Sequence, residues 1–438
     1  MRLGRRAALV GLPWALSGCG VLDSLLGDDK KKVEGKREPI LGGGAGLAVD
    51  TAQGTVVVPA AVPLAAWPQN GGTLAHAVGN VAVTGLSPAW STGIGEGAGY
   101  RAKLTSQPLV ERGMAYTMDS DGHVAAIDMA GGGRLWRVNT QAENNRSTNL
   151  GGGIAIENGT IYATTGRAEA LALEAASGKI LWRKDIGVPA RSGPSVSGGR
   201  MHFTTLDDQV LALSLKDGSR AWGYKGSETA TTVLADAAPA INDGFVVAGF
   251  GSGELVALRA DSGSLVWSDS LAGSGGANSS VDLTAIRALP VIDRGRVYAI
   301  GVGGLLVALD LRTGRRLWER EIGGGQTPCL VGDWLFVQSS NQGLAAVNAA
   351  DGHVRWVQEL PRWANPAKQK DPIFWAGPLM AAGKLILAGT SEQAVSVDPV
   401  SGRLLGALEM GSSVSVSPVA ASGTVLILTD SGALKAFR

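Results

Sequence analysis

Cysteine is almost missing from this chain. Cys19 and Cys329 are the only two in 438 residues. Cys19 stands in "ALSGCG" at the end of an apolar run near the N-terminus, and Cys329 lies far away in "TPCLVG". No vicinal cysteine pair occurs. Histidine is nearly as scarce. His76, His123, His202 and His353 are far apart and show no HxxxH or Cys/His spacing of a zinc site, so no metal is expected. An excess of one charge is lacking too, with 39 basic against 38 acidic residues and a net charge of +1. That balance carries no general electrostatic footprint for nucleic acid. The nucleophile elbow G-x-S-x-G does not occur. "AAGKL" around Lys384 lacks the first glycine of a phosphate loop, because Pro378 stands five residues before Gly383.

Glycine is what the chain has in abundance. Its 64 residues are about twice the usual share. Apolar runs are many but short, and turn signals separate them, which predicts an all-β chain. The first residues stand apart from that pattern. Arg2, Arg5 and Arg6 precede an apolar stretch, Ala7 to Leu16, too short to span a bilayer as a helix. Leu16-Ser17-Gly18-Cys19 follows. This reads as a lipoprotein signal peptide over 1–18. It resembles the lipobox of bacterial lipoproteins, which implies cleavage before Cys19 and lipidation of that residue. Residues 19–66 read as a lipidated tether and an extended segment. "DDKKKVEGKREP" is too polar to bury a core, and "TVVVPAAVPLAAW" is apolar but broken by Pro59 and Pro63. Cys329 then has no partner for a disulfide and is expected to be a small buried apolar residue.

Residues 67–438 read as the propeller: "WPQNGG" at its start is a turn-rich element whose tryptophan is expected to dock against the domain, and the rest of the chain repeats. "HVAAIDMAGGGRLW", "EALALEAASGKILW", "QVLALSLKDGSRAW", "ELVALRADSGSLVW", "LLVALDLRTGRRLW" and "LAAVNAADGHVRW" end at Trp136, Trp182, Trp222, Trp267, Trp318 and Trp356. In each, glycine precedes tryptophan by four residues. A seventh copy, "QAVSVDPVSGRLLG", has Gly406 where tryptophan is expected. An eighth begins as "GALKAFR", and "LSPAWST" with Trp90 offers the strand it lacks. Successive tryptophans from Trp90 to Trp356 are 38 to 51 residues apart, the length of a four-stranded propeller blade. The expectation is an eight-bladed β-propeller whose last blade is closed by the N-terminal strand near Trp90, which removes free sheet edges. Glycine suits the tight hairpin turn, and aspartates such as Asp128, Asp310 and Asp398 can bond amides across it. The tryptophans are expected to be structural, each burying about 150–250 Å².

The repeat resembles the PQQ-type propeller repeat. Quinoprotein dehydrogenases of that architecture hold a quinone and Ca²⁺ at the centre, but are longer and many carry a vicinal cysteine pair. Here that pair is missing, and no obvious cluster of Glu, Asn and Asp for a hard cation is present. The repeat therefore indicates fold rather than cofactor. No cofactor and no catalytic residue are expected. A quinoprotein dehydrogenase, or another ligand-binding envelope propeller, is the alternative.

Lipobox, tether and eight-bladed propeller together resemble the BamB family, the lipoprotein propellers of the outer-membrane β-barrel assembly machinery. The resemblance implies a non-enzymatic periplasmic scaffold, monomeric within a hetero-complex. It would dock on the POTRA domains of the barrel-assembly protein and assist unfolded outer-membrane proteins. Gly20 in place of aspartate after the lipidated cysteine implies the outer membrane, periplasmic face. The family's partner-contacting loops fall at 231–239 and 281–290, with Asp236, Asp282 and Arg287 as candidate contacts. The sequence departs from the better-known pattern at Leu234, where a basic residue is typical, and at Ala285 and Arg287, where acidic ones are.

Overall fold

The computed structural model describes residues 47–50, 54–145, 147–227, 237–271 and 285–438. Among them, eight four-stranded antiparallel sheets and one short hairpin account for the strands, and no helix occurs. Seven sheets are contiguous in sequence. They span 109–139, 152–185, 195–225, 240–270, 291–320, 329–359 and 375–409, and are numbered here as blades 1 to 7. Blade 8 is composite. Its first three strands are Val419–Ala421, Thr424–Leu428 and Ala433–Phe437, and its fourth is Pro88–Gly93. Trp90 lies opposite Ala436 and Gly93 opposite Ala433 in that pairing. The eight-bladed, N-terminally closed β-propeller expected from the repeats is what forms.

Burial explains why the strands read as they do. The first three strands of each blade are sandwiched between neighbouring blades, so they are apolar on both faces and rich in alanine. Glu169–Glu174, EALALE, is buried until its last residue. The fourth strands face solvent and tend to alternate, as Arg134–Asn139, RLWRVN, does from Leu135 onward. The core is consequently a ring of apolar clusters between adjacent blades rather than one central mass.

The repeated tryptophan and glycine act across blades. Trp136 of blade 1 lays its ring against Gly178 in the last turn of blade 2. A Cβ at Gly178, where φ is +75°, would come within 2.7 Å of that ring. The position therefore requires glycine twice, for its backbone and for the close approach. The Trp136 Nε1–H also donates to Ala175 O in the same turn. The same ring-on-glycine contact joins Trp90 to Gly132, Trp182 to Gly218, Trp222 to Gly263, Trp267 to Gly314, Trp318 to Gly352 and Trp356 to Gly402. Each of the seven indoles donates to a backbone carbonyl of the next blade at 2.8–3.1 Å. Within its own blade each of the seven sits opposite an alanine of the third strand.

Residues 54–66 run extended and largely exposed, and 67–84 then enter the channel as a plug. Trp67 exchanges both backbone hydrogen bonds with Val110 of blade 1 (2.7 and 2.9 Å). The amides of Ile156, Ile241 and Ile292, in the first strands of blades 2, 4 and 5, donate to Pro68, Leu74 and Ala75. Val196 N of blade 3 donates to Gln69 Oε1, Ala382 N after the first strand of blade 7 to Val81 O, and Thr84 N to Gly423 O of blade 8. First-strand edges that would otherwise present bare amides to the channel are thereby paired.

Candidate partner-binding face

Antiparallel order fixes two faces. The turns after the first and third strands lie on the plug side. The turns after the second strands, and the loops that join one blade to the next, lie on the other. That second face carries a funnel of about 360 Å³ lined by Lys103, Thr105, Gln107, Arg287, Gln326, Thr327, Ser415 and Ser417, among others. Gln107 connects the funnel to its floor. Its Oε1 accepts from Trp67 Nε1–H at 3.2 Å and from Gly71 N–H at 2.8 Å, so the plug closes the channel beneath.

Arg287 is exposed at this funnel, between buried Ile286 and Ala288. Its loop is pinned from behind. Ile286 N donates to Phe250 O, Val302 N donates to Ala285 O, and Leu289 N donates to Thr327 Oγ1, all at 3.0 Å. The other candidate loop is anchored in the same way at its described end, where Thr204 Oγ1 donates to Ala237 O and Ser195 Oγ to Pro239 O. Asp236 and Asp282 lie outside the described residues, as does Cys19.

The sequence did not single out the group that ties this region together. Arg191 is fully buried, its Nη2 donating to Ile286 O at 3.1 Å and its Nη1 standing 3.8 Å from Asp208 Oδ1. Asp208 Oδ1 in turn accepts from Gly251 N at 2.9 Å, which links blades 3 and 4. Burial pushes the Asp208 carboxyl above the usual range, against the opposing pull of the Gly251 amide and the Arg191 charge. A faint signal was available. Asp208 has φ +57° in the turn after its second strand, where blades 1, 4 and 8 have Gly122, Gly253 and Gly432. A hairpin of Trp363–Asn365 and Lys370–Pro372 was also missed; it adds exposed Lys368 and Lys370 to the blade 6–7 connection. Two exposed aromatic residues stand on the same face, Tyr100 (94%) in the connection to blade 1 and Phe374 (61%) in that to blade 7.

Among the described residues, no group of three or more His, Cys, Asp or Glu could hold a metal ion. His76 is buried in the plug, where Nδ1–H donates to Pro290 O at 2.7 Å and burial pulls its pKa down to about 4. His202 is buried in blade 3 and pulled down to about 4 by the same cause. His123 pairs with Asp119 at 3.1 Å and His353 with Asp351 at 3.0 Å. Burial raises the Cys329 thiol to about 12, which makes it inert.

A family model described as "Outer membrane protein assembly factor BamB" matches residues 120–358. The chain belongs to the BamB family. A BamB of Yersinia pestis is 28% identical over 355 residues, covering 80% of this chain and 88% of that protein. The BamB of Escherichia coli K12 is 26% identical over 352 residues, covering 78% and 86%. Among solved structures, BamB of Moraxella catarrhalis superposes with a TM-score of 0.67 at 16% identity, over 81% of this chain and 99% of that one. A quinohemoprotein alcohol dehydrogenase of Comamonas testosteroni superposes with a TM-score of 0.66 at 14% identity, over 85% and 80%. Likeness at such identities concerns the fold alone. It is the match to the BamB family model that separates this chain from the dehydrogenases that share its propeller.

Proposed function

We propose that this BamB-family propeller is a non-enzymatic assembly factor for outer-membrane β-barrel proteins. In this reading residues 1–18 are removed, Cys19 carries the lipid, and residues 19–66 tether the propeller 67–438 to the periplasmic face of the outer membrane. The propeller docks on the POTRA domains of the barrel-assembly protein, with Asp236, Asp282 and Arg287 among its contacts. One observation carries the reading. The face opposite the plug presents exposed Tyr100, Phe374 and Arg287 on loops hydrogen-bonded to the turns after the second strands of the blades. Aromatic residues and arginine on a rigid support are what interface hot spots are made of.

The test is a crosslinked pull-down from envelopes with the tagged full-length chain. The barrel-assembly protein should be recovered. Tyr100→Ala and Arg287→Glu should each reduce recovery by about tenfold, a loss of about 1.4 kcal/mol, while leaving the melting temperature unchanged. If the wild-type chain recovers no barrel-assembly protein under conditions that recover that protein's other partners, the reading fails.

A further inference from the structure

One blade junction differs from the other seven. Strand Leu404–Glu409 of blade 7 should present tryptophan to blade 8, but has Gly406 there. Gly406 lies opposite Ser396 in the register that puts Trp136 opposite Ala126 and Trp356 opposite Ala346. The receiving side is altered as well. Gly132 stands two residues before the fourth strand of blade 1, whereas the same place before Pro88–Gly93 is Leu86. The reason is topological. The third and fourth strands of blade 8 come from opposite ends of the sequence, so no tight turn joins them and no glycine is required to make it.

The exchange of indole-on-glycine for glycine-on-leucine leaves space. A cavity of about 170 Å³ lies between blades 7 and 8, walled by Leu86, Ile386, Val395, Leu408, Val425 and Phe437, among others. A Cβ added at Gly406 would meet nothing within 4 Å. Among the described residues, Ser396 supplies the only polar side chain of the lining, and no charged side chain lines it. The corresponding slot at every other junction is occupied by a flat indole between two sheets.

We propose that the blade 7–8 junction is a binding site for one uncharged planar aromatic ring of phenyl to indole size. Flatness follows from the slot, which is bounded by two facing sheets as at the seven filled junctions. Neutrality follows from the lining, where a charge would lose its hydration with no partner to replace it. The ring can be a free small molecule or a side chain carried by a polypeptide. Residues 404–407 are exposed, so the slot opens to solvent along the outer strand of blade 7.

The experiment titrates the full-length chain with indole and, separately, with N-acetyltryptophanamide, and reads thermal shift and ligand-observed NMR. Saturable binding with a rise in melting temperature is expected, together with ring contacts to Phe437 and Leu86. Binding of indole alone assigns the site to a free ring, and binding of the amide as well assigns it to a peptide-borne side chain; either result supports the site. Gly406→Trp, or Leu86→Trp from the opposite wall, should weaken indole binding by about tenfold or more. The proposal is overturned if neither ligand binds saturably, or if a filled variant with unchanged circular dichroism binds indole as well as the wild type. Should neither variant fold, ring contacts in the wild type to residues other than this lining would overturn it.

Discussion

At the scale of single residues, the stability of this protein rests on pairs that belong to different blades. Trp136 loses three things on truncation: apolar burial, the stack on Gly178 and the hydrogen bond to Ala175 O. Trp136→Ala should therefore cost about 3–5 kcal/mol in denaturant unfolding, more than its only partly buried position suggests. The buried histidines set an acid limit. Folded His76 and His202 titrate near 4 because burial disfavours the charged ring, whereas an unfolded histidine titrates near 6.5. The unfolded chain binds more protons between those values. The stability that the neutral rings contribute is thus complete above about pH 6.5 and lost as pH falls toward 4, by about 3 kcal/mol per ring. His202→Phe keeps a ring against Trp222 and removes the titration. Its unfolding free energy should fall less between pH 7 and pH 4 than that of the wild type, and an equal fall would show that His202 is not one of the groups responsible.

At the scale of elements, the plug carries an unusual share of the connections. Residues 67–84 bond in turn to blades 1, 2, 3, 4, 5, 7 and 8. Gln107 holds the plug where it enters, accepting from both Trp67 and Gly71. Gln107→Leu would leave two largely buried donors without an acceptor, at about 1–3 kcal/mol each. Limited proteolysis should then cut within 54–84 at protease levels that leave the wild type intact. A fragment pattern identical to that of the wild type would mean that the plug is held without this side chain. "WPQNGG" announces a turn and a docking tryptophan, but nothing in its periodicity says that the following residues visit the blades in order. Those bonds join positions tens to hundreds of residues apart, and apart from the Gln69 and Gln107 side chains they use backbone groups that any sequence supplies.

At the scale of the whole molecule, closure makes eight similar units into one. Trp90 serves twice, in the strand that completes blade 8 and as the indole bonded to Met129 O of blade 1. Trp90→Ala should lower the melting temperature, and far-ultraviolet circular dichroism and tryptophan fluorescence should still report one coincident transition. Separate transitions by the two probes would mean that the blades unfold independently despite the closed ring. The proposed partner-binding face belongs to this scale too, because its parts come from the connections to blades 1, 5 and 7 and meet only when the ring is closed.

Fold class, blade number and the closing strand were legible in the sequence, because each follows from a local pattern repeated at blade length. The glycine four residues before tryptophan was legible as a turn signal. That the glycine receives the tryptophan of the preceding blade was not, since adjacent repeats look alike wherever their contacts run. The Arg191–Asp208 pairing, the path of the plug and the slot beside Gly406 were decided by tertiary structure, although Gly406 itself was legible as a departure from the repeat. They depend on which chain segments become neighbours when eight sheets pack around a channel, and a distance in space between residues such as Arg191 and Ile286 leaves no period along the chain.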